Sequence, residues 1–500
     1  MHSFLTLPRT GLFSSLILSV QFSHHVLAAS GLSYNGLSIT PAMGWDTYNA
    51  YGLDYNETTI QDNAELLVNL GFRDLGYKVV IFDDAMTEKN RSANGTLIEN
   101  SSKFPSGLKN LVDQSVHSNG LQFGVYSSAG RFTCGGYPGS LGYEAADAAW
   151  WASLGADYLK YDNCYNEGNS GTPKLSEHRY AVMSNALNST GRSITYSLCN
   201  WGDDKPWQWA STIANSARMS GDIQDYFDRP ATSCPCGPDE YYCQLPGYGC
   251  SIINILGKAS HITSKNQPGY WNDLDMLEVG NGGMTYDEYK THFSMWAAIK
   301  SPLIMGNKLY ELSPEDYGIL TNPAIVALNQ DPEGSSIQRR LVEQTDDKDR
   351  WGVGEVQLWS GSLYGGDQVV AFINAGKSSR TISYDLVEVF GGVRNNEQAM
   401  QAWELYDLWG NETVIPAVSA AMVLNGTVGI EAVDEGRWYY NASETSWADG
   451  LARNETLLLG TPVGRVEAMG MLSASVPGHG IAMWRLRRAG GAAKRKRDEL

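Results

Sequence analysis

The stretch "ADYLKYDNCY", residues 156–165, places two opposite charges, Lys160 and Asp162, at the end of a segment typical of a buried strand. Side chains two apart on a strand point to the same face, so the two charges lie on one side of it. Buried charges are costly unless they are paired or used. The pattern therefore predicts either an ion pair that closes the strand or one half of an active site.

Carboxylates recur at the ends of five predicted strands. A single aspartate there is more often the N-cap of the next helix than a catalyst. Five are harder to explain as caps, because Ser, Thr and Asn are mostly absent from the same positions. Aromatic and basic side chains accompany the acids. The candidate residues of these strand ends are Trp45, Asp46, Asp83, Asp84, Tyr126, Lys160, Asp162, Cys199, Trp201, Arg218, Asp222, Asp273 and Asp275.

Several other chemistries lack their motifs in this chain. It has no G-x-S-x-G elbow, no Walker phosphate loop and no H-x-x-x-H pair among its eight histidines. The acids could hold a divalent ion, but Lys160 and Arg218 would compete for them, so we predict no metal and no cofactor. What remains is a set of carboxylates, with Trp45 and Trp201 as flat faces for a sugar ring or as core residues. This set is typical of a glycosidase, in which one carboxylate attacks the anomeric carbon and another protonates the departing oxygen.

Such a site requires a fold that brings strand ends together. Short apolar strands alternate with helical stretches, and eight such units predict an α/β fold, a (β/α)₈ TIM barrel, in which the carboxyl ends of the strands meet at one mouth. A doubly wound open sheet is the alternative. The strand segments are 38–48, 77–84, 121–128, 156–163, 193–201, 214–223, 269–277 and 301–306.

The composition changes near "NQDPEGSSIQRR", residues 329–340. The segments after it resemble strands separated by turn residues, with little helical periodicity, and they predict a C-terminal antiparallel β domain. The predicted divisions are a signal peptide at 1–29, a barrel at 30–330, a β domain at 331–490 and a basic tail at 491–500.

Charge and the chain termini bear on partners and location. The net charge of −18 argues against a nucleic-acid partner. Arg9, the apolar run after it and the small residues before Ser30 are typical of a signal peptide, and the run is too short to span a membrane. The final "RDEL" resembles an ER-retention signal. Export is favoured, because the "KR" pairs just upstream could be trimmed away.

Nine N-x-S/T sequons are consistent with export, and three of them crowd into 90–102, which predicts a glycosylated surface loop. The acceptors are Asn56, Asn90, Asn94, Asn100, Asn188, Asn411, Asn425, Asn441 and Asn454.

Seven cysteines in an exported chain predict disulfides and one odd thiol. Four crowd one loop without a nearby histidine, which disfavours zinc. We predict the nested pairs Cys234–Cys250 and Cys236–Cys243 from three possible connectivities. Cys134 and Cys164 both follow strand ends and could bridge neighbouring loops, which would leave Cys199 unpaired.

Five motifs together resemble family 27 of the glycoside hydrolases, with the closest likeness to its secreted fungal α-galactosidases. They are "GWDTYN" (44–49), "FDD" (82–84), "KYDNC" (160–164), "RMSGDI" (218–223) and "NDLDMLEVGNGGMT" (272–285). The likeness extends over nearly the whole mature chain, including "LYDLWGN" and "VPGHGIAMWRL". It implies a (β/α)₈ barrel followed by a β-sandwich, and hydrolysis with retention at the anomeric centre.

The resemblance implies roles for single residues. Asp162 matches the nucleophile and Asp222 the general acid/base. The other matches concern the sugar: Asp83 and Asp84 hold the 4- and 6-hydroxyls, Lys160 holds the 3- and 4-hydroxyls, Arg218 lies near the 2-hydroxyl and Asp222, and further contacts come from Trp45, Tyr126, Asp275 and Met276.

Two further points concern the neighbourhood of the nucleophile. Cys134 and Cys164 correspond to a family disulfide. Some relatives carry a Glu after the fifth-strand cysteine, whereas this chain has Asn200, so Cys199 and Trp201 are expected to shape the 2-hydroxyl pocket. Lys160 and Arg218 are expected to keep Asp162 ionised, because nearby positive charges favour the charged form.

These inferences predict a retaining exo-glycosidase that acts on terminal α-D-galactosyl units of galactose oligosaccharides and galactomannans. An α-N-acetylgalactosaminidase or β-L-arabinopyranosidase of the same family is the nearest alternative. An inactive sugar-binding lectin is the alternative from another class. Because both Asp83 and Asp84 are present, a substrate with a 6-hydroxyl is favoured.

Overall fold

The computed structural model describes residues 35–229, 250–393, 396–410 and 440–490. The predicted signal peptide and basic tail, three of the clustered cysteines and two sequons lie outside these residues, and the predictions about them stay untested. None of the helices in the described part has the length and apolar character needed to cross a bilayer.

Eight parallel strands form a closed barrel in the order β7-β6-β5-β4-β3-β2-β1-β8. The circle is completed just after β7, where Leu277 forms a parallel bridge with Met305 of β8. The predicted barrel is confirmed, and the open-sheet alternative is wrong. The strands are β1 Met43–Asp46, β2 Val79–Phe82, β3 Gln122–Ser128, β4 Tyr158–Asp162, β5 Thr195–Cys199, β6 Ser216–Arg218, β7 Trp271–Asp273 and β8 Leu303–Met305.

Helices alternate with these strands and continue into the C-terminal part of the chain. They are α1 Tyr48–Tyr51, α2 Glu57–Asn69, α3 Phe72–Leu75, α4 Leu108–Leu111, α5 Glu144–Leu154, α6 Pro173–Ser189, α7 Ile252–Ala259, α8 Tyr286–Ile299, α9 Pro314–Leu320, α10 Pro323–Asn329, α11 Leu386–Val389, α12 Trp447–Arg453 and α13 Thr456–Leu459.

Local sequence explains where several of these elements begin and end. Asn56 caps α2 by accepting the backbone N–H of Thr59, whose side chain returns the bond as a capping box. Gly155 ends α5 with φ of 93°, a left-handed value that favours glycine. β2 is buried along its whole length, which is typical of a barrel strand packed on both faces.

The C-terminal part is an antiparallel β domain, as predicted. A six-stranded sheet in the order β14-β13-β16-β11-β10-β9 accompanies the pair β12-β15. Apolar side chains from both sheets form one core, in which Phe372 contacts the rings of Tyr384 and Trp484. The strands are β9 Gln338–Gln344, β10 Glu355–Ser362, β11 Gln368–Asn374, β12 Arg380–Asp385, β13 Trp403–Asp407, β14 Thr461–Val466, β15 Met471–Val476 and β16 Gly480–Arg488.

Helix α8 of the barrel joins it to the β domain. Its Thr291 hydroxyl donates to the carbonyl of His479, and the indole N–H of Trp409 donates to the hydroxyl of Ser294. The change from helices to antiparallel strands falls between the end of α10 and the start of β9. The predicted division at 330/331 lies in this interval and stays a prediction.

Candidate active site

A cavity of about 650 Å³ opens at the carboxyl ends of the barrel strands. This is the end of a barrel at which active sites are built. Ten residues predicted from the sequence contribute to its lining: Asp83, Tyr126, Lys160, Asp162, Cys199, Trp201, Arg218, Asp222, Asp275 and Met276.

Lys160 extends from β4 into the barrel interior, where it pairs with two acids rather than with its neighbour on the strand. Its Nζ lies 3.1 Å from Oδ2 of Asp46 and 2.8 Å from Oδ2 of Asp83. Burial opposes the charged amine, but these two carboxylates raise the pKa of Lys160 well above its usual value. Lys160 therefore carries a charge that is neutralised from β1 and from the residue after β2.

Asp162 ends β4 and is held by neutral donors. Oδ2 accepts the hydroxyl of Tyr126 at 2.8 Å, and Oδ1 accepts the backbone N–H of Asn163 at 2.8 Å. Burial, followed by the charge of Asp222, raises the pKa of Asp162 to about 6. The expectation that lysine and arginine hold the pKa of this group low is therefore corrected: Lys160 does lower the pKa of Asp162, but burial and the charge of Asp222 outweigh it, and the direct partners of Lys160 are other acids.

Arg218 organises the opposite wall of the cavity. Its Nη2 lies 2.9 Å from Oδ1 of Asp222 and 2.7 Å from Oδ2 of Asp275. The Asp275 carboxylate also accepts the backbone N–H of Ile223, and this contact fixes the loop that carries Asp222. The Asp222 side chain is 54% exposed, so that water and a leaving group can reach it. Asp162 and Asp222 thus line one cavity from two different strand ends.

Trp45 and Asp84 are the predicted sugar-binding residues that do not line the cavity. Trp45 has no exposed surface and its indole N–H donates to the carbonyl of Asn307, so the expected stacking face is covered. The physical reason is strand parity: Asp46 faces the barrel interior, so its neighbour Trp45 faces the surrounding helices. The Asp84 carboxylate accepts the backbone N–H groups of Gly135 and Ala85, which positions the loop after β3.

Several lining residues were not predicted. Asn49 and Asn281 donate to the carboxylate of Glu278, and burial raises the pKa of Glu278 to about 8. Tyr48 and Asp225 also contribute to the cavity. Tyr48 and Asn49 belong to the quoted "GWDTYN" motif, and Glu278 belongs to "NDLDMLEVGNGGMT", so the motifs contained these residues without indicating their role.

The cysteines near the nucleophile agree with the sequence. Cys134 and Cys164 form a disulfide, and Sγ of Cys134 lies 3.3 Å from Oδ2 of Asp162. Cys199 is a buried free thiol, as predicted, and it lies 3.6 Å from Nη1 of Arg218. Cys250 is disulfide-bonded, but Cys234, Cys236 and Cys243 lie outside the described residues, so the pairs Cys234–Cys250 and Cys236–Cys243 stay predictions.

The chain matches two family models. The first is described as Alpha galactosidase A and matches residues 40–232 and 245–331. The second is described as the alpha galactosidase C-terminal beta sandwich domain and matches residues 353–433. Together they cover the barrel and much of the β domain.

Curated and solved proteins give the same result. The chain is 48% identical to an alpha-galactosidase of Saccharomyces pastorianus over 461 residues, which are 92% of this chain and 96% of the relative. A solved alpha-galactosidase of Saccharomyces cerevisiae matches with TM-score 0.86 and 46% identity, covering 91% of this chain and 99% of that one. An alpha-galactosidase of Saccharomyces cerevisiae solved with raffinose matches with TM-score 0.87 and 45% identity over 91% of this chain and 99% of that one.

Proposed function

The chain belongs to the alpha-galactosidase family, and we propose that it hydrolyses terminal α-D-galactosyl units by double displacement, with Asp162 as nucleophile and Asp222 as general acid/base. The observation that supports these roles is that the two carboxylates line one cavity at the carboxyl ends of β4 and β6. One is buried and held by two hydrogen bonds, whereas the other is exposed to incoming water.

The reaction proceeds in two steps. In the first, an Asp162 oxygen attacks the anomeric carbon while the bond to the leaving oxygen breaks, and Asp222 gives its proton to that oxygen. In the second, Asp222 takes a proton from water, which attacks the same carbon and releases Asp162. Two inversions give net retention. We expect the two carboxyl groups to lie about 5–5.5 Å apart, the spacing typical of retaining enzymes.

The electrostatics of the cavity suit this division of labour. With a pKa of about 6, Asp162 is mostly ionised at neutral pH, as the nucleophile must be, and it loses its charge when it bonds to the anomeric carbon. Formation of the covalent bond to Asp162 removes its negative charge from the cavity. Arg218, whose Nη2 lies 2.9 Å from Oδ1 of Asp222, holds that carboxyl group at the cavity wall for both proton transfers.

Galactose is the proposed sugar. Asp83 and Lys160 line the cavity as a charged pair, which suits the 3- and 4-hydroxyls of an axial-4 sugar. Trp201 and Cys199 also line it, and the bulk of the indole is expected to exclude an N-acetyl group at C2. The yeast relative solved with raffinose supports raffinose-type oligosaccharides as substrates. Galactomannans are proposed as polymeric substrates.

Hydrolysis of three nitrophenyl glycosides tests the proposed reaction and sugar. The α-galactoside should be cleaved, with α-galactose as the first product detected by NMR, and the α-N-acetylgalactosaminide and β-L-arabinopyranoside should react at least tenfold more slowly. Asp162→Asn should abolish turnover, and Asp222→Asn should spare the first step only for a good leaving group such as dinitrophenolate. Asp113→Asn, an exposed residue paired with Lys109, is the matched control. Release of β-galactose first, or activity in Asp162→Asn, would refute the assignment.

Export and glycosylation are part of the proposal. Five sequon asparagines in the described part are exposed, and two more are half-buried, so the glycan acceptors are accessible. The exposed ones are Asn56, Asn90, Asn94, Asn188 and Asn454, and the half-buried ones are Asn100 and Asn441. Expression in a fungal host followed by glycosidase treatment should give active protein in the medium that shifts to lower mass. Retention of all activity in cells, abolished by truncation of "RDEL", would favour the ER instead.

A further inference from the structure

A second cluster of titratable groups lies between the barrel and the β domain. His479, in the turn between β15 and β16, has its Nε2 3.2 Å from Oδ2 of Asp228, which follows β6. The same Nε2 lies 3.7 Å from Oδ2 of Asp349, in the loop between β9 and β10. All three residues line a cavity of about 600 Å³ separate from the one that holds Asp162.

The imidazole ring is fixed by its other nitrogen. Nδ1 of His479 lies 2.6 Å from Oε1 of Glu288, and Oε2 of Glu288 accepts the backbone N–H and the hydroxyl of Thr285. The ring also stacks on Phe227 with centroids 4.7 Å apart. Glu288 thus holds a proton on Nδ1, and Nε2 points toward the two aspartates.

The three facing atoms are buried acceptors without hydrogen-bond partners. Among the described residues, no donor reaches Nε2 of His479, Oδ2 of Asp228 or Oδ2 of Asp349. If Nε2 of His479 carried a proton, this N–H would not form a hydrogen bond of acceptable geometry with either aspartate oxygen, although both oxygens are near. The two aspartate side chains are only 7% and 4% exposed. Buried charges in this arrangement are costly unless a cation lies between them.

The aspartates are also preorganised for a shared ligand. Oδ1 of Asp349 accepts the backbone N–H groups of Trp351 and Val353, both at 2.8 Å, which leaves Oδ2 free to face the histidine. The separations of 3.2 and 3.7 Å are close to the edge of a tetrahedron, roughly 3.3 Å, around a zinc ion with ligand bonds of about 2.0–2.1 Å. A carboxylate that binds the far nitrogen of a metal-ligating histidine, as Glu288 does, is the usual outer partner in such sites.

We propose that Asp228, Asp349 and His479 bind a divalent transition-metal ion of the zinc class, with water from the cavity in the fourth position. One ligand comes from the barrel and two come from the β domain, so the ion would clamp the two together. None of these residues lines the cavity of Asp162, so the ion has a structural role and takes no part in hydrolysis of the glycosidic bond. The proposal does not depend on the identity of the sugar.

Metal analysis of the full-length purified protein tests the site. The protein is first dialysed exhaustively against chelator, then loaded with zinc chloride, and finally dialysed against buffer to remove unbound zinc. The wild type should retain one zinc per chain. Asp349→Asn and His479→Gln should retain less than about a tenth of this. Glu288→Gln should weaken zinc binding about 10–100-fold, the effect typical of losing an outer carboxylate. Asp346→Asn, an exposed acid three residues from Asp349, is the matched control and should bind as the wild type does.

Thermal unfolding gives a second readout that does not require the variants to be fully stable. Zinc at about a hundred times its dissociation constant should raise the Tm of the wild type by roughly 3 °C and leave Asp349→Asn unchanged. Equal zinc content and equal Tm in wild type and Asp349→Asn would overturn the proposal and indicate an imidazolium paired with the acids. Stabilisation by calcium but not by zinc would also overturn it, because calcium takes oxygen ligands and would not use the imidazole.

Discussion

Replacement of Tyr126 by phenylalanine tests how the cavity sets the ionisation of Asp162. The hydroxyl donates to Oδ2 of Asp162 at 2.8 Å and favours the charged carboxylate. A hydrogen bond to a charged group contributes about 1.5–3 kcal/mol, and one pKa unit corresponds to about 1.4 kcal/mol. Because water in the cavity can replace part of this contact, we expect the pKa of Asp162 to rise from about 6 by about one unit.

The sign and size of the kinetic effect follow directly. The nucleophile must be ionised, so kcat/KM, which reports the free enzyme, falls as the pH drops below the pKa of Asp162. In Tyr126→Phe this fall should begin about one pH unit higher. At pH 5 the variant should lose about tenfold more activity than it loses above pH 8, where Asp162 is ionised in both proteins. The assay is kcat/KM for nitrophenyl α-galactoside between pH 4 and 9.

Tyr161→Phe is a matched control on the same stretch of chain. Tyr161 precedes Asp162 on β4 but faces the opposite side, and its buried hydroxyl has no hydrogen-bond partner in the described part of the structure. Its removal should leave the pH profile unchanged. If the acidic limb stays at the wild-type pH in Tyr126→Phe, or moves equally in Tyr161→Phe, the argument that this hydrogen bond tunes the nucleophile is refuted.

Three further predictions concern stability and are checked by thermal or denaturant unfolding. Because burial raises the folded-state pKa of Asp162, the free energy of unfolding of the wild type should fall as pH rises from about 4 to about 6. Asp162→Asn should therefore be more stable than the wild type by about 1.5–3 kcal/mol at pH 7, and the two proteins should be equally stable near pH 4. Gly44→Ala should destabilise the barrel by about 1–3 kcal/mol or more, since the added Cβ would lie 2.3 Å from a carbonyl oxygen of β2. Lys160→Met should cost about 3–5 kcal/mol at neutral pH, because Asp46 and Asp83 lose their shared cation, and less at pH 4, where Asp46 is neutral because burial raises its pKa to about 7.

The barrel was predictable because its signal is local and repeated. Most of the strands, such as β2 and β8, lie in short apolar runs bounded by turn residues, and the helices between them have clear ends, such as the capping box at Asn56 and the glycine at 155. The carboxyl end of each strand could therefore be located to within a few residues. Placing Asp162 and Asp222 at one mouth then required only the rule that parallel strand ends converge.

The partners of Lys160 could not be predicted, because they depend on contacts across the barrel. Lys160 lies on β4, but its acids come from β1 and the end of β2, and neither strand is adjacent to β4 in the sheet. Trp45 and Asp46 were both predicted as site residues at one strand end. Adjacent side chains on a strand point to opposite faces, however, so Trp45 faces the helices and Asp46 faces the barrel interior. A sequence read along one strand at a time contains no information about such distances.

For catalysis, the important point is that the buried cations of the cavity contact acids other than the nucleophile. Lys160 is shared by Asp46 and Asp83, and Arg218 by Asp222 and Asp275, so both buried cations are already paired. Among the described residues, only neutral groups donate hydrogen bonds to Asp162, and burial raises its pKa to about 6. Because burial raises its pKa, the Asp162 carboxylate is a stronger nucleophile toward an anomeric carbon than a solvent-exposed aspartate would be. A direct ion pair with lysine would have lowered its pKa and also its tendency to form the covalent bond, so the geometry that contradicts the simplest sequence expectation is the one that suits the reaction.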